Sequence, residues 1–409
     1  MKYGLIGEKL GHSYSAEIHG LIADYEYTLC EVAKEDFDLF MKKRDFKGIN
    51  VTIPYKQEII PYLDEIDERA RDIGAVNVVV NREGKLYGYN TDFFGLRELI
   101  LRLRVSLLGK RVAILGTGGT SHTAMAVVKD MGASEVFCVS RGKKEGAITY
   151  EELYRRSDKI DFIINTTPKG MYPDVFGTAV DLSCFSSLLG LVDVVYNPLH
   201  TALTLEARGK NISSESGLYM LVAQAIKASE LFLGTSYPSD TISKIYDKML
   251  GRKENIVLIG MPASGKSTVG RLISEKLSRK FVDTDELIEE RAGMTISEIF
   301  SRYGEKHFRD LESEIISEVA KTPSLVIATG GGAILREENL EALRLNGRLF
   351  FIDRPLDKLI PTDTRPLSSD REAIEKRYNE RYEIYCSVCD VHIDADTTPE
   401  NVAEKIINS

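Results

Sequence analysis

Residues 260–268, GMPASGKST, follow the apolar run NIVLIG and keep the spacing G-x-x-x-x-G-K-[ST]. In that spacing the backbone N–H groups of a glycine turn cradle phosphates. The lysine reaches the phosphoryl group that moves, and the serine hydroxyl holds Mg²⁺. Gly260, Ser264, Gly265, Lys266, Ser267 and Thr268 are therefore the candidate nucleotide ligands, with ATP and Mg²⁺ as the expected cofactors. Groups suited to an anionic acceptor follow. Asp283 and Asp285, in FVDTDELI, are expected on one face of a strand end, one for the metal's water shell and one for an acceptor hydroxyl. Arg309 and Glu312 are three residues apart and share a helix face. Gly330, Gly331 and Gly332 follow a buried apolar run, where bare backbone can approach a small ligand. Arg365, on an expected loop, and Arg381, on the last long helix, complete a set of three separated arginines. Such a set suits an anionic substrate plus a transferring phosphoryl group.

A second glycine loop lies upstream in RVAILGTGGTSHTA (111–124). Gly116 makes the tight turn, Gly118 with Gly119 lets backbone approach a pyrophosphate, and Ser121 takes the third, small position where strand and helix pack. About 20 residues on, a protein that binds NAD usually places a carboxylate for the ribose hydroxyls. Here the strand ends VFCVSRGKK, so Ser140, Arg141, Lys143 and Lys144 offer a basic cluster suited to a 2′-phosphate. NADP(H) is the expected partner of this loop. Before it come GHSYSAEIHG, with Ser13 and Ser15 on alternate positions of a turn, GINVTIPYK, ending in Lys56, and GYNTDFFG, with Asn90 and Asp92. Hydride transfer to a carbonyl carbon needs a proton donor for the oxygen, and an ammonium beside a carboxylate can be one. Spacing alone equally allows a surface lysine and a helix-capping aspartate.

The elements that must position these groups alternate. From residue 2 to about 100, short apolar runs (YGLIG, GINVTI, AVNVVV) are separated by charged, helix-period segments. From Arg111 a second set runs RVAILG, EVFCVS, DFIINT, LVDVVY, nearly all apolar, as buried parallel strands are. An apolar helix is expected within 215–233. The segment SYPSDTISKIYDKMLGRKEN then leads to a boundary near Gly251 and a third α/β unit. A chain of 409 residues exceeds one core, so two or three domains are expected. The net charge of −9 argues against nucleic acid or acidic membranes as partners, and no run approaches the ~20 apolar residues of a membrane span. Five cysteines make no disulfide framework, and the lone pair Cys386/Cys389 on a helical stretch is read as packing. A reduced, cytoplasmic protein is expected. Nothing in the sequence decides between monomer and homodimer.

Taken in order, GHSYS, NVTIPYK, GAVN (74–77), YNTDFFG, GTGG, NTTPKGM (165–171), YNPLHTALTLEARG (196–209) and GLYMLVAQA (217–225) resemble shikimate dehydrogenase over essentially all of residues 1–250. The resemblance implies Lys56 and Asp92 as the catalytic pair and Ser13 and Ser15 on the substrate carboxylate. It places Thr52, Asn77, Tyr196 and Gln224 around the ring hydroxyls, and Gly217 at the cofactor. Residues 253–409 resemble shikimate kinase along their length. This implies Asp285 as the group that orients or deprotonates the attacking hydroxyl, with Asp283 supporting Mg²⁺. Arg309 and Arg381 then hold the shikimate carboxylate, Glu312 steadies Arg309, and Lys266 and Arg365 act on the moving phosphate. Gly331 and Gly332 lie against the substrate. The implied fold is α/β throughout: a substrate domain over 1–101, completed by helices of 215–250, a Rossmann-type NADP domain over 102–214, and a P-loop kinase domain with a central parallel sheet over 253–409. Departures are SRG (140–142) in place of the usual NRT, His122 in the glycine loop, and a short segment before Arg365 in DRPLDKLIPTDTRPL. The expected activity joins consecutive steps, 3-dehydroshikimate to shikimate with NADPH and then shikimate to its 3-phosphate with ATP. Two rival readings are a C-terminal nucleotide-binding module without turnover and a quinate-using oxidoreductase.

Overall fold

Buried strands need apolar residues on both faces, and the apolar runs form three sheets among the residues described, 1–11, 13–359 and 371–409 of a computed structural model. The first contains β1 (Tyr3–Gly7), β2 (Tyr27–Glu31), β3 (Gly48–Val51), β4 (Glu65–Ile66), β5 (Val78–Arg82) and β6 (Lys85–Tyr89) in the order β2-β1-β3-β5-β6-β4. It is mixed: β5 runs antiparallel to both β3 and β6. The second contains β7 (Arg111–Leu115), β8 (Glu135–Ser140), β9 (Ile148–Thr149), β10 (Phe162–Asn165), β11 (Gly190–Asp193) and β12 (Ser213–Glu215) in the order β12-β11-β10-β7-β8-β9. All its pairings are parallel.

The third sheet contains β13 (Asn255–Ile259), β14 (Phe281–Asp283), β15 (Val326–Ala328), β16 (Gly347–Asp353) and β17 (Val391–Asp394). Its order is β14-β15-β13-β16-β17, again all parallel. Alternation along its central strands separates two cores. Val257, Ile259, Leu349 and Phe351 face one, while Leu258, Phe350 and Ile352 face the other. Cys386 and Cys389 pack against the first of these cores, and all five cysteines are free thiols.

The chain divides into two units, Met1–Asn197 with Leu203–Leu250, and Pro198–Ala202 with Gly251–Ser409. In the first unit the helices Thr91–Arg102 and Leu218–Leu233 pack together. Gly95 permits this, because a Cβ there would stand 2.6 Å from the Met220 carbonyl oxygen. In the second unit the strap 198–202 is bonded into the rest. Leu199 N–H donates to Asn346 Oδ1 (2.9 Å) and His200 N–H to the Leu345 carbonyl (2.9 Å). The helix Ile296–Ala320 is interrupted at Gly304, whose φ is +82°. No described helix is long and apolar enough to cross a membrane.

Candidate active sites

The first site gathers at one end of the interior strands β3, β5 and β6 of the mixed sheet. Thr52 follows β3 and donates its N–H to the Ile6 carbonyl (2.9 Å), while Val51 N–H donates to the Asn77 carbonyl (2.8 Å). Gly7 is bare because a Cβ would stand 2.6 Å from the Thr52 methyl. Tyr55 is fully buried, stacks on Phe37 at 4.1 Å and donates its hydroxyl to the Val32 carbonyl (2.6 Å). That anchor fixes the short helix Tyr55–Glu58 and with it Lys56. Lys56 Nζ lies 2.7 Å from Asp92 Oδ2, with side chains 26% and 15% exposed. The capping alternative fails on geometry. Asn90 is the residue that caps the helix, its Oδ1 accepting from Phe93 N–H (3.2 Å), and Asp92 sits in the first turn with its carboxylate on the lysine.

Asn77 and Gln224, 147 residues apart in sequence, are linked by Thr91. The Asn77 amide accepts from Thr91 N–H (2.7 Å) and donates to its Oγ1 (3.1 Å), and that hydroxyl lies 3.4 Å from Gln224 Oε1. Thr91 was not among the residues the sequence singled out. Ser13 Oγ donates to Ser15 Oγ at 3.0 Å, so the two hydroxyls do share one place. Tyr14 between them lies 5.4 Å, ring to ring, from Tyr196. Burial pushes the Tyr14 phenol up to about 12, with Tyr196 and Glu17 adding to the rise, and burial also raises Tyr196.

In the dinucleotide loop, Gly116 has φ +104° and a Cβ would stand 2.9 Å from Thr166 Oγ1. Gly118 and Gly119 open the helix Gly119–Asp130, and among the described residues no group beyond their own chain neighbours and helix backbone lies within 4 Å of a Cβ at either. Ser121 is buried and ties its hydroxyl to the Gly118 carbonyl (2.6 Å), filling the small position. Arg141 and Lys143 are exposed after Ser140, the last residue of β8. The lysine that reaches back to the loop is Lys144, whose Nζ donates to the Thr117 carbonyl (3.3 Å). Gly217 is bare for packing, since a Cβ would run into the Val194 carbonyl.

The phosphate loop follows β13. Gly260 has φ +147° and backs onto the Ile352 carbonyl, 2.8 Å from a Cβ position. Ser264 is buried beside it, Gly265 has φ +94°, and Thr268 is exposed in the first turn of the helix Lys266–Leu277. Lys266, 5% exposed, donates Nζ to the Gly260 (2.9 Å) and Met261 (2.8 Å) carbonyls. Ser267 Oγ donates to Asp283 Oδ2 at 2.6 Å. The two aspartates do not share a strand face: Asp283 ends β14 and caps the next helix, accepting Asp285 N–H on Oδ1 (3.0 Å), while Asp285 lies in that helix's first turn. A capping aspartate starts a helix one residue later, so the carboxylates diverge.

The divergence sends Asp285 to the glycine turn. Asp285 Oδ1 and Glu312 Oε1 each stand 2.7 Å from where a Gly330 Cβ would be, and the Arg309 guanidinium occupies the same place at Gly332. Arg309 Nη1 donates to Glu312 Oε2 (2.6 Å). Burial raises the Glu312 carboxyl, Arg309 pulls it back, and Asp285 adds to the rise. Arg381, 8% exposed, donates to the Gly331 carbonyl (3.0 Å), and a Gly331 Cβ would meet Pro262 of the phosphate loop at 2.8 Å. Tyr385, which the sequence did not signal, donates its hydroxyl toward the Gly260 (3.0 Å) and Gly331 carbonyls, tying loop to turn. Arg365 lies outside the described residues. Among those described, no three His, Cys, Asp or Glu residues form a metal cluster. A magnesium ion held by one hydroxyl, one carboxylate and phosphates needs none, and Ser267 with Asp283 fits it.

Residues 262–409 match the family model described as shikimate kinase, and residues 5–79 that of the shikimate dehydrogenase substrate binding domain. A shikimate dehydrogenase (NADP(+)) of Clostridium perfringens is 37% identical over 266 residues, 60% of this chain and 97% of that protein. Shikimate dehydrogenase 1 from Peptoclostridium difficile is similar in structure, with a TM-score of 0.56 and 38% identity over 61% of this chain and 98% of that one. The Thermus thermophilus shikimate 5-dehydrogenase in complex with NADP(H) and shikimate gives a TM-score of 0.55 and 25% identity over 61% and 99%.

Proposed function

This chain belongs to the shikimate dehydrogenase family and carries a shikimate kinase domain after it, and we propose that its two glycine loops serve consecutive steps on one molecule. The first site reduces 3-dehydroshikimate to shikimate. NADPH would be held by Gly116, Gly118 and Gly119, with Arg141 and Lys144 toward its 2′-phosphate, and when bound would supply the hydride to the carbonyl carbon. The Lys56 ammonium, held by Asp92, gives its proton to the carbonyl oxygen as negative charge develops there. Ser13 and Ser15 bind the substrate carboxylate, and Thr52, Asn77, Tyr196 and Gln224 bind its hydroxyls.

At the second site the Asp285 carboxylate takes the proton of the shikimate 3-hydroxyl. That oxygen attacks the γ-phosphorus of ATP, and ADP leaves with the electrons of the broken P–O bond. Arg309 and Arg381 hold the carboxylate of shikimate, Glu312 keeps Arg309 in place, and Lys266 neutralises charge on the moving group. The resemblance gives Arg365 the same duty. Ser267 and Asp283 hold Mg²⁺, which neutralises phosphate charge when bound. The domain division that goes with this reading is 1–101 with 215–250 for substrate, 102–214 for NADP(H) and 253–409 for phosphorylation. Its setting is the reducing cytoplasm, which suits five free thiols.

The observation that carries the reading is the acceptor side of the phosphate loop. Asp285, Glu312 and Arg309 converge on Gly330–Gly332 while Pro262 closes against Gly331. A module that merely senses nucleotide has no use for two carboxylates and a guanidinium gathered on a glycine turn beside its phosphate loop. The test is to supply 3-dehydroshikimate, NADPH and MgATP to the whole chain and look for shikimate 3-phosphate. Accumulation of shikimate alone would leave only the dehydrogenase. Faster oxidation of quinate than of shikimate would reassign the first site.

A further inference from the structure

Arg354 leaves β16 at the edge where the phosphate loop begins. β16 lies beside β13, with Phe351 opposite Ile259, and Gly260 backs onto the Ile352 carbonyl. Two residues on, Arg354 turns over the loop: its Nη1 is 3.9 Å from where a Gly265 Cβ would stand. The side chain is half-buried, and its Nε is fully covered without a hydrogen-bond partner among the described residues.

Among the described residues, the neighbouring charges have other partners. Lys358 pairs with Asp396, and Lys266 donates to two loop carbonyls. The adjacent carboxylate, Asp353, accepts the Tyr382 hydroxyl (3.1 Å) and lies 2.8 Å from His392 Nε2. A guanidinium cannot shed its proton. Covering part of it beside a helix N-terminus, itself electropositive, is unfavourable unless an anion sits between them. Gly265 belongs to the part of the loop that wraps the phosphates nearest the ribose, while Lys266 reaches toward the transferring one.

We propose that Arg354 is a ligand for the non-transferring phosphates of ATP, a contact made equally in the ground state and the transition state. The proposal rests on the kinase reading above. A contact of that kind changes affinity and leaves turnover alone. Arg354→Ala is therefore expected to raise the KM for ATP and the Kd for ADP about tenfold, the scale of a charge-assisted contact. kcat should stay within about threefold and the KM for shikimate should not move. Tripolyphosphate, as a competitor of ADP, should weaken by the same factor. Arg354→Lys should recover part of the loss, since it keeps the charge and loses the fork. Should the alanine variant melt early, Arg354→Gln removes the charge while keeping a polar side chain with part of the aliphatic stem, and gives the same readings.

An ADP Kd within twofold of wild type in the folded variant overturns the proposal. So does weaker ADP binding with unchanged tripolyphosphate binding, which places the arginine on the base, or a fall in kcat at constant KM. A wild type that binds ADP but does not phosphorylate shikimate defeats the kinase reading while leaving the Arg354 contact to be read from ADP and tripolyphosphate binding. A wild type that binds neither defeats both.

Discussion

The two glycine loops of this chain solve one problem, gripping phosphates with backbone, in opposite ways. At Gly118 and Gly119 no described residue beyond the chain neighbours and the helix backbone stands within 4 Å of a Cβ position, and the cationic groups nearby, Arg141 and Lys143, are exposed. The loop is an open platform, and on the proposed reading recognition falls to side chains that follow the next strand. At Gly260 the backbone is pressed against β16, Lys266 is folded onto the loop's own carbonyls, and Ser267 is bonded to Asp283. That loop is a cradle whose charged and hydroxyl groups are held by the loop itself and by Asp283. A dinucleotide spans a long crevice and needs an open seat. A triphosphate about to lose its end group needs its charges placed in advance.

The comparison breaks most visibly if the two sites are not independent. Lys56→Ala should cost the dehydrogenase at least about 10²-fold and leave phosphorylation intact, and Asp285→Asn should do the reverse. Loss of both activities in either folded variant would sink the separation. The glycines themselves come next. Gly260→Ala forces a side chain onto φ +147° and against the Ile352 carbonyl, so the second unit should lose about 1–3 kcal/mol, measured by urea unfolding followed through kinase activity. Gly118 has φ −88°, so Gly118→Ala should leave the melting temperature alone and raise the KM for NADPH. Equal destabilisation by both substitutions would erase the distinction between platform and cradle.

The platform reading also says that specificity at the first loop comes from borrowed charge. Arg141→Ala should raise the KM for NADPH about tenfold and leave that for NADH nearly unchanged. Steady-state kinetics with both cofactors decides it, and an equal rise for both would point to a folding defect. The cradle, gripping phosphates, should tolerate GTP within about tenfold of ATP, or 1.4 kcal/mol. Strong preference for ATP would reveal a grip on the base.

The smallest effect concerns acid. His19 is completely buried in the first unit, stacked on Tyr27 at 3.8 Å, and burial lowers it to about 3. Its depressed value means that its stabilising contribution is whole above the ordinary histidine range and is lost as pH falls toward that value. The unfolded chain takes up a proton that the folded one refuses, at about 1.4 kcal/mol for each pH unit. Urea titrations between pH 6 and 4, followed by loss of dehydrogenase activity, should show a shallower pH slope for His19→Gln than for wild type. Equal slopes would remove His19 from the account.

What the sequence made legible was local. Arg309 with Glu312 could be paired because a helical turn fixes the distance between them, whereas Asp283, 16 residues from Ser267, was assigned to the metal only through the family resemblance. Asp285 was misplaced by one element, because a strand end and a helix cap look alike when the capping residue is itself an aspartate. Thr91 was invisible because its role is to join Asn77 to Gln224, and no period of the chain encodes a partner 133 residues away. Lys144 rather than Lys143 reaches the first loop because the turn after β8 decides which lysine points back, and the three basic residues of RGKK look equivalent in sequence. Tyr385 reads as an ordinary core aromatic until its hydroxyl is seen between two carbonyls.

The strap Pro198–Ala202 bears on how such a polypeptide could ever be taken apart. A gene cut at codon 251 gives two tidy reading frames, yet the downstream product would lack the N–H groups that reach the buried Asn346 side chain and the Leu345 carbonyl. Each acceptor stripped of its donor and still buried costs on the order of 1–3 kcal/mol. The second half is in this sense not a passenger that was appended and could be released. It has grown a dependence on five residues encoded some fifty codons before its own start, so a single scission cannot return both halves whole.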